Sequence, residues 1–476
     1  MKEFAEMSLE ELLREGGHAC SCGRTHTTGL KFLRVGPGAV KTVPEALAFL
    51  GKKKPFVVAD TNTFAAAGKR VEEVLREAGV PFVSYVFPAQ AERLEPDEYA
   101  CGALAMAFDN TCDVVLGVGS GVVNDCCKIL ARTAKIPSMI VGTAPSMDGY
   151  ASNSASMVEN HIKVSLYCAC PAAIIADIDI IKEAPTRMLW AGLGDMVAKY
   201  TALAEWRITN IVNDEFYCEN IAGLVRRSIR RVVENADKLM QRAPEAVQAV
   251  TEGLILSGVA MDFAKCSRPA SGLEHYFSHM WEMRALARGE RSDLHGIQVG
   301  VGVCLELPVL EKIKALTPDR EAAEKAVLAF SNEEWEKEMH SAFGPLADTI
   351  IRAEHEKYHK NDLAGHHERI GRIVERWPEI VRAIDEEIPS ADGLLSMMRA
   401  TGMPTTPEEL GLTAQDVHDA FIGSRDIRDK YLSCSLLWDL GLTDAYAQIL
   451  RDEAEAQKAE YAEQERIAAE KTEEAR

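Results

Sequence analysis

An aspartate and three histidines in the second half of the chain are of the types that hold a catalytic metal ion. Asp195 ends the motif Gly-Leu-Gly-Asp, His275 and His279 lie four residues apart, and His295 follows. Four-residue spacing on a helix places two imidazoles on one face. One carboxylate with two imidazoles leaves coordination positions open for water or substrate. The alternative is a pair of histidines that are exposed, or that are buried with their hydrogen bonds made to other core residues. Tyr276 follows His275, which excludes the HExxH motif of zinc peptidases.

A glycine-rich segment, GVGSGVVND at 117–125, predicts a nucleotide-binding turn. It follows an apolar run typical of a buried strand and opens a helical pattern. Glycines let the backbone approach a pyrophosphate, and the N–H groups at a helix start favour its negative charge. The spacing is neither the Rossmann GxGxxG nor a Walker motif. A tight turn without a ligand is the alternative interpretation.

Polar side chains after two other predicted strands are further candidate cofactor contacts. The segment TAPSMDGYAS at 143–152 concentrates hydroxyl groups and a carboxylate at the strand ends, where open α/β sheets bind ligands. Asp60 ends another strand and could accept hydrogen bonds from an adenosine ribose. The negative charge of the same carboxylate would repel a 2′-phosphate. The alternatives are a polar surface loop for the segment and a helix N-cap for Asp60.

A compact group of cysteine and histidine lies near the N-terminus, in the sequence CSCGRTH. Cys20, Cys22 and His26 offer metal-binding atoms, but no second Cys/His pair follows at the spacing of a zinc finger. Because closed zinc sites need four ligands, we interpret the segment as an N-terminal loop, with a structural metal as the alternative. The twelve cysteines are spread along the chain, several of them in apolar runs, which favours a reducing compartment.

Composition and charge exclude several classes of protein. The chain has 476 residues, of which 47% are hydrophobic and 26% charged, so it is neither disordered nor fibrous. Its net charge of -20, from 53 basic and 73 acidic residues, disfavours binding to nucleic acid or to anionic lipid. We find no apolar run of the ~20 residues that a transmembrane helix needs and no signal-peptide core, which predicts a cytoplasmic location.

Short β-rich runs alternate with helical patterns from residue 30 to about 180. Continuous apolar strands separated by helices predict a doubly wound, Rossmann-like parallel sheet with helices on both faces. The predicted strands are 31–35, 55–59, 82–87, 113–119, 138–142 and 172–176.

Beyond Pro185 the β-branched runs become scarce and helical spacing dominates, as in 190–209, 213–242, 245–264 and 365–387. We therefore predict an all-α second half. The predicted organisation is an N-terminal extension (1–29), a dinucleotide-binding α/β domain (30–184), a helical metal- and substrate-binding domain (185–450) and a charged tail (451–476).

Taken together, these motifs resemble one family. The segments CSCGRTH, GVGSGVVND, TAPSMDGYAS, AGLGD, SRPASGLEH with a second histidine, and HGIQVGVG are similar to those of sn-glycerol-1-phosphate dehydrogenases. This family belongs with the iron-type alcohol dehydrogenases, glycerol dehydrogenase and dehydroquinate synthase. The resemblance runs from about residue 20 to 450 and implies the dehydroquinate synthase-like fold.

The resemblance also implies roles for individual residues. It implies that Asp195, His275 and His295 bind a metal ion. The ion is zinc or nickel in such enzymes, and this set of ligands does not distinguish between the two. Asp148 and His279 fall where the family contacts substrate, which makes His279 a candidate for proton transfer. The implied dinucleotide contacts are Gly119, Ser120, Gly121, Asn124, Asp125, Thr143, Ser146 and Ser152.

The implied reaction is reduction of dihydroxyacetone phosphate to sn-glycerol 1-phosphate with NAD(P)H. Many relatives have an unbroken Gly-Gly-Gly where Ser120 stands here, which leaves the choice between NADH and NADPH open. Lys163 and Arg268 are cationic candidates for the substrate phosphate. The alternatives are a polyol dehydrogenase, a lyase of the dehydroquinate synthase type and a non-enzymatic binding protein. Relatives are commonly homodimers, so we expect a homo-oligomer with a small-molecule substrate.

Overall fold

The computed structural model describes residues 2–89, 93–159 and 162–474. The chain divides into two compact units. Unit 1 comprises 1–199, 218–271 and 294–297, and unit 2 comprises 200–217, 272–293 and 298–476. The domain boundaries expected from the sequence stay a prediction.

Unit 1 is built around a six-stranded parallel sheet with the order β3-β10-β7-β6-β4-β5. All six strands coincide with predicted apolar runs, which confirms the doubly wound sheet. Two short antiparallel pairs, β1 with β2 and β8 with β9, accompany it and were not predicted. The strands are β1 (His18–Ala19), β2 (Thr25–His26), β3 (Phe32–Gly36), β4 (Pro55–Asp60), β5 (Val83–Phe87), β6 (Val114–Gly119), β7 (Ser138–Gly142), β8 (Ser154–Glu159), β9 (Ile162–Tyr167) and β10 (Ala173–Asp177).

Side chains of the sheet alternate between two separate apolar cores because successive residues of a strand point to opposite faces. In β4, Val57 and Ala59 pack in one core, whereas Phe56 and Val58 pack in the other. Burial on both faces explains why the strands read as continuous apolar runs in the sequence. The α-helices that begin before residue 265, all of them in unit 1, are α1 (Leu9–Leu12), α2 (Val43–Phe49), α3 (Thr61–Thr63), α4 (Lys69–Glu77), α5 (Glu98–Ala107), α6 (Gly121–Ala134), α7 (Ile178–Ile181), α8 (Thr186–Asn213), α9 (Glu219–Val233), α10 (Ala236–Leu239) and α11 (Pro244–Ala264).

Helix α11 is the one helix within the described ranges whose length and composition would suit a membrane. However, 94% of its most apolar window is buried inside the protein, where it packs against α9. It is therefore a core helix of unit 1.

Unit 2 consists of helices within the described part of the chain, as the periodicity beyond Pro185 predicts. It includes the end of α8 and almost all of α13, and α20 packs against α12 and α22. The predicted charged tail continues helix α22, and its last two residues lie outside the described residues. The remaining helices are α12 (Leu273–Ala287), α13 (His295–Lys314), α14 (Arg320–Leu328), α15 (Asn332–Phe343), α16 (Ala347–Ala353), α17 (His366–Glu375), α18 (Trp377–Glu387), α19 (Ala391–Ala400), α20 (Ala414–Ser424), α21 (Ser433–Asp439) and α22 (Thr443–Glu474).

Candidate active site

The glycine-rich turn joins β6 directly to α6 in unit 1. Strand β6 ends at Gly119, Ser120 is the N-cap residue, and α6 begins at Gly121. A Cβ atom on Gly119 would lie 2.6 Å from the Cβ of Val123, so a side chain there would overlap the first turn of the helix. The first N–H groups of an α-helix have no partner within that helix and point along its axis. The turn thus has the form of an anion-binding helix start.

The predicted segment 143–152 lies beside this turn. The Thr143 N–H donates to the Gly119 carbonyl oxygen at 3.1 Å, and the Tyr150 hydroxyl donates to the Ala144 carbonyl oxygen at 2.7 Å. Thr143 and Ser146 are both buried. The structure therefore brings together the two segments that the sequence marks as candidate cofactor contacts.

Three of the predicted cofactor residues form hydrogen bonds within the chain. The Asn124 amide donates to the Gly149 carbonyl oxygen at 3.3 Å, and Asp125 accepts from the Ser156 N–H at 3.0 Å. Ser152 accepts at 3.0 Å from the ammonium of Lys128, which also donates to the carbonyl oxygens of residues 149 and 154. The contacts hold the loop after β7 against α6. A direct cofactor contact of Asn124, Asp125 or Ser152 stays a prediction.

Lys128, a fully buried lysine at the centre of this network, was not predicted as a site residue. Burying an ammonium group is costly unless several acceptors surround it. The available signal was a lysine on an otherwise apolar stretch of α6, next to Cys126 and Cys127.

Asp60 acts as a helix N-cap, one of the two possibilities that the sequence leaves open. Its Oδ1 atom accepts hydrogen bonds from the N–H groups of Asn62 and Thr63, both at 2.8 Å. The Thr63 hydroxyl completes a reciprocal capping box by bonding to the Asp60 N–H. A ribose contact through the same carboxylate stays a prediction.

Two aspartates of unit 1 share one buried lysine. The Lys199 ammonium donates to Asp195 Oδ1 at 2.7 Å and lies 2.8 Å from Asp148 Oδ2. The Asp148 N–H and the Ser257 hydroxyl complete the cluster by donating to these two carboxylates. Burial lowers the pKa of Lys199, but the charges of Asp148 and Asp195 outweigh burial and raise it above its ordinary value. The cluster therefore consists of a charged lysine between two carboxylates.

Lys199 was also missed, although it lies one helical turn after Asp195. The spacing in GDMVAK places the two side chains on one face of α8. An aspartate followed by a lysine four residues later is a common surface pair, so its burial is visible only in the folded chain.

Glycines position the motifs that carry Asp148, Asp195 and His295. A Cβ atom on Gly192 would overlap the carbonyl oxygen of Pro145, and one on Gly296 would overlap that of Ala191. The backbone of α8 therefore lies directly against the loop before Asp148, and the first turn of α13 lies directly against α8. Unit 1 brings these three motifs together through contacts that only glycine permits.

His275 and its neighbour Glu274 form a hydrogen-bonded pair in unit 2. His275 Nδ1 lies 2.7 Å from Glu274 Oε1. Because an ionised carboxylate only accepts, Nδ1 carries the proton and Nε2 keeps its lone pair. This carboxylate–imidazole arrangement is typical of metal-binding histidines. Glu274 is itself held by the Thr201 hydroxyl at 2.9 Å and the Gly272 N–H at 2.7 Å.

Two further glutamates surround this pair in the interior of unit 2. Burial raises the pKa of Glu274, but the hydrogen bonds that it accepts from His275 and the Gly272 N–H outweigh burial and lower this pKa to about 2. Burial and the charges of Glu274 and Glu205 raise the pKa of Glu306 well above its ordinary value. Glu306 therefore holds a proton while Glu274 is ionised and can accept from His275.

His279 lies one turn after His275 on α12, as the helical spacing predicts. The two ring centroids are 6.4 Å apart, and His279 Nδ1 lies 3.5 Å from a carboxylate oxygen of Glu282. Both imidazoles are largely buried. This removes one alternative considered for the pair, namely that it lies on an exposed helix face.

Comparisons with known proteins give a consistent result. The family model described as iron-containing alcohol dehydrogenase matches residues 34–185. A glycerol-1-phosphate dehydrogenase (NAD(P)+) of Halalkalibacterium halodurans is 30% identical over 88% of this chain and 95% of its own length. One of the same name from Methanosarcina mazei is 36% identical over 57% of this chain and 74% of its own. Glycerol dehydrogenase of Schizosaccharomyces pombe shares the fold, with a TM-score of 0.58 and 17% identity over 92% and 94% of the two chains.

Proposed function

The chain belongs to the glycerol-1-phosphate dehydrogenase family, and from this premise we propose that it reduces dihydroxyacetone phosphate to sn-glycerol 1-phosphate with NADH or NADPH. It is an NAD(P)-dependent oxidoreductase of the iron-containing alcohol dehydrogenase type. The observation that carries the proposal is the similarity to a glycerol-1-phosphate dehydrogenase over nearly the whole length of that enzyme. The substrate and the direction of the reaction belong to the proposal.

The turn between β6 and α6 supports a role in dinucleotide binding. Gly119, Ser120 and Gly121 would present backbone N–H groups to the pyrophosphate, since a negative charge is favoured at the start of a helix. Thr143 and Ser146 lie in the segment that is hydrogen-bonded to this turn. Asp60 would contact the adenosine ribose, and Lys128 would hold the adjoining loop in place.

We assign the metal ligands to Asp195, His275 and His295, with zinc or nickel as the ion. Two features fit an ion: the carboxylate of Asp195 is fully buried, and His275 Nδ1 is hydrogen-bonded to a carboxylate, as in many metal-binding histidines. When bound, the ion would polarise the ketone oxygen of the substrate.

The remaining residues of the proposed site would manage charge and protons. Lys199 offsets the charges of Asp148 and Asp195, which burial would otherwise make costly. Asp148 would contact the substrate, and His279 would supply the proton for the product hydroxyl, with Glu282 beside its Nδ1 atom. The nicotinamide, when bound, would supply the hydride.

The charge of Glu274 should strengthen metal binding by His275. We expect Glu274→Gln to weaken zinc binding about 10- to 100-fold, because the uncharged amide makes the imidazole a poorer ligand. The measurement is activity titrated against buffered free zinc. The matched control is Glu336→Gln, whose carboxylate also bonds a histidine, His355, but at the surface. Equal zinc dependence in both variants would contradict this role of Glu274.

The substrate assay tests the proposed function. The purified enzyme, loaded with zinc or with nickel, is given dihydroxyacetone phosphate and either NADH or NADPH, and cofactor oxidation is followed. Brisk turnover of the phosphorylated ketone supports the proposal. Turnover of unphosphorylated dihydroxyacetone alone would indicate a polyol dehydrogenase. Phosphate release from a heptulosonate phosphate without net cofactor consumption would indicate a lyase.

The cellular setting is likewise proposed. We propose a homodimer, as relatives commonly are, located in the cytoplasm, since the scattered cysteines fit a reducing compartment. Light scattering of the purified protein, which gives the mass of the particle in solution, tests the dimer.

A further inference from the structure

We infer that Cys20, Cys22, His26 and Cys218 form a structural zinc site in unit 1. Their four ligand atoms all lie within 4.8 Å of one another. The sequence suggested a loop here because only three ligands are close together along the chain. The fourth, Cys218, comes from a position almost two hundred residues later and completes a Cys₃His set.

Three of the six distances between the ligand atoms are close to the edges of a tetrahedron around zinc. The sulfurs of Cys20 and Cys218 are 3.6 Å apart, and His26 Nε2 lies 3.2 Å from the Cys22 sulfur and 3.6 Å from the Cys218 sulfur. Zinc bond lengths of about 2.3 Å to sulfur and about 2.0 Å to nitrogen give tetrahedral edges of roughly 3.5 to 3.8 Å. All three cysteines are free thiols in the structure.

His26 is fixed in the tautomer that a zinc ligand requires. Its Nδ1 atom lies 2.9 Å from the carbonyl oxygen of Phe263. A carbonyl oxygen only accepts hydrogen bonds, so Nδ1 carries the proton and Nε2 directs its lone pair towards the sulfurs. The imidazole is almost completely buried, and the ring of Phe4 packs edge-on against it.

Hydrogen-bond donors lie beside the sulfurs of Cys20 and Cys218. The Asn220 amide donates to the Cys20 sulfur at 3.3 Å. Backbone N–H groups of Cys22 and Ile221 bond to the sulfurs of Cys20 and Cys218. Such contacts orient the ligands of a metal and are part of a built site.

Local backbone structure supplies the ligands from two rigid elements. Cys20 and His26 flank the tight turn of the β1–β2 hairpin, in which the Cys20 N–H donates to the Arg24 carbonyl oxygen at 3.0 Å. Cys218 is the N-cap residue of α9. A bound ion would therefore join the N-terminal hairpin to the start of α9 within unit 1.

Three thiolates and one imidazole favour zinc and a structural role. Sulfur ligands select zinc over magnesium or calcium, and four protein ligands leave no position open for a substrate. The site shares no residue with Asp195, His275 and His295, so it does not depend on the proposed function. Success or failure of the substrate assay leaves this inference unchanged.

Cobalt substitution of the full-length protein tests the site. Cobalt bound by cysteine produces sulfur-to-metal charge-transfer absorption, which the sulfur-free ligand set of the proposed active site cannot produce. We expect this absorption in the wild type and its loss in Cys218→Ser, together with loss of one zinc equivalent per chain by elemental analysis. Cys101→Ser and Cys168→Ser are matched controls at partly exposed cysteines outside the cluster, and we expect them to keep both signals.

A second measurement needs no variant and covers the case in which Cys218→Ser fails to fold. A mercurial reagent that modifies thiols should release one zinc per chain from the wild type, detected with a chromophoric chelator. Absence of both the cobalt–sulfur absorption and the mercurial-released zinc would overturn the inference. Detection of a Cys20–Cys218 disulfide by mass spectrometry of the native protein would also overturn it.

Discussion

Replacing His275 by alanine should reduce kcat/KM for dihydroxyacetone phosphate by about a thousandfold or more. The variant removes one of three proposed ligands of the ion that polarises the ketone, and stabilisation of this kind contributes several kcal/mol to a transition state. Steady-state oxidation of NADH or NADPH measures the loss. Removing the ion from the wild type with a chelator should have the same effect, and adding back zinc or nickel should restore the rate.

The control for this experiment is His355→Ala. His355 also bonds a glutamate, but its side chain is exposed on unit 2. We expect wild-type kcat/KM in this variant. Cofactor binding, followed by fluorescence of the bound nicotinamide, should be unchanged in His275→Ala because the glycine turn belongs to a different part of the chain. Full activity in His275→Ala would refute the proposed ligand set.

The second large effect concerns stability and the glycine in the motif AGLGD. Gly192→Ala should destabilise the folded protein by ~3 kcal/mol or more, at the upper end of overpacking costs. The added Cβ would overlap the Pro145 carbonyl oxygen and lie 2.9 Å from Val250 Cγ1. A backbone atom on a short loop cannot move aside as the tip of a flexible side chain can. The shift in the denaturant midpoint of unfolding measures the effect.

Gly102→Ala is the matched control, since it also places alanine at a helical glycine. Gly102 is an exposed residue of α5, and a Cβ atom there would meet no other atom within 4 Å. Alanine is the better helix former by ~1 kcal/mol, so this variant should be slightly more stable than the wild type. If Gly192→Ala had the same stability as Gly102→Ala, the close approach of α8 to the loop at Pro145 would be disproved.

Local sequence patterns predicted the α/β architecture well. Each predicted strand of the parallel sheet is present. These strands could be predicted because burial on both faces requires a continuous run of apolar residues, which is visible in the sequence. The β8–β9 hairpin was missed, since its small and alternating residues produce no such run. The four-residue spacing of His275 and His279 likewise placed them correctly on one helix, α12.

The sequence by itself determined the strand and helix pattern, the glycine turn and the residue types of the candidate sites, because these depend on neighbours a few positions apart. Only the tertiary structure decided which distant groups meet. Cys218 joins Cys20 across almost two hundred residues, Lys199 lies between two buried carboxylates, and Gly192 lies against Pro145. The physical reason is that periodicity reports how each residue is buried, whereas a contact between remote segments depends on how all the elements pack together.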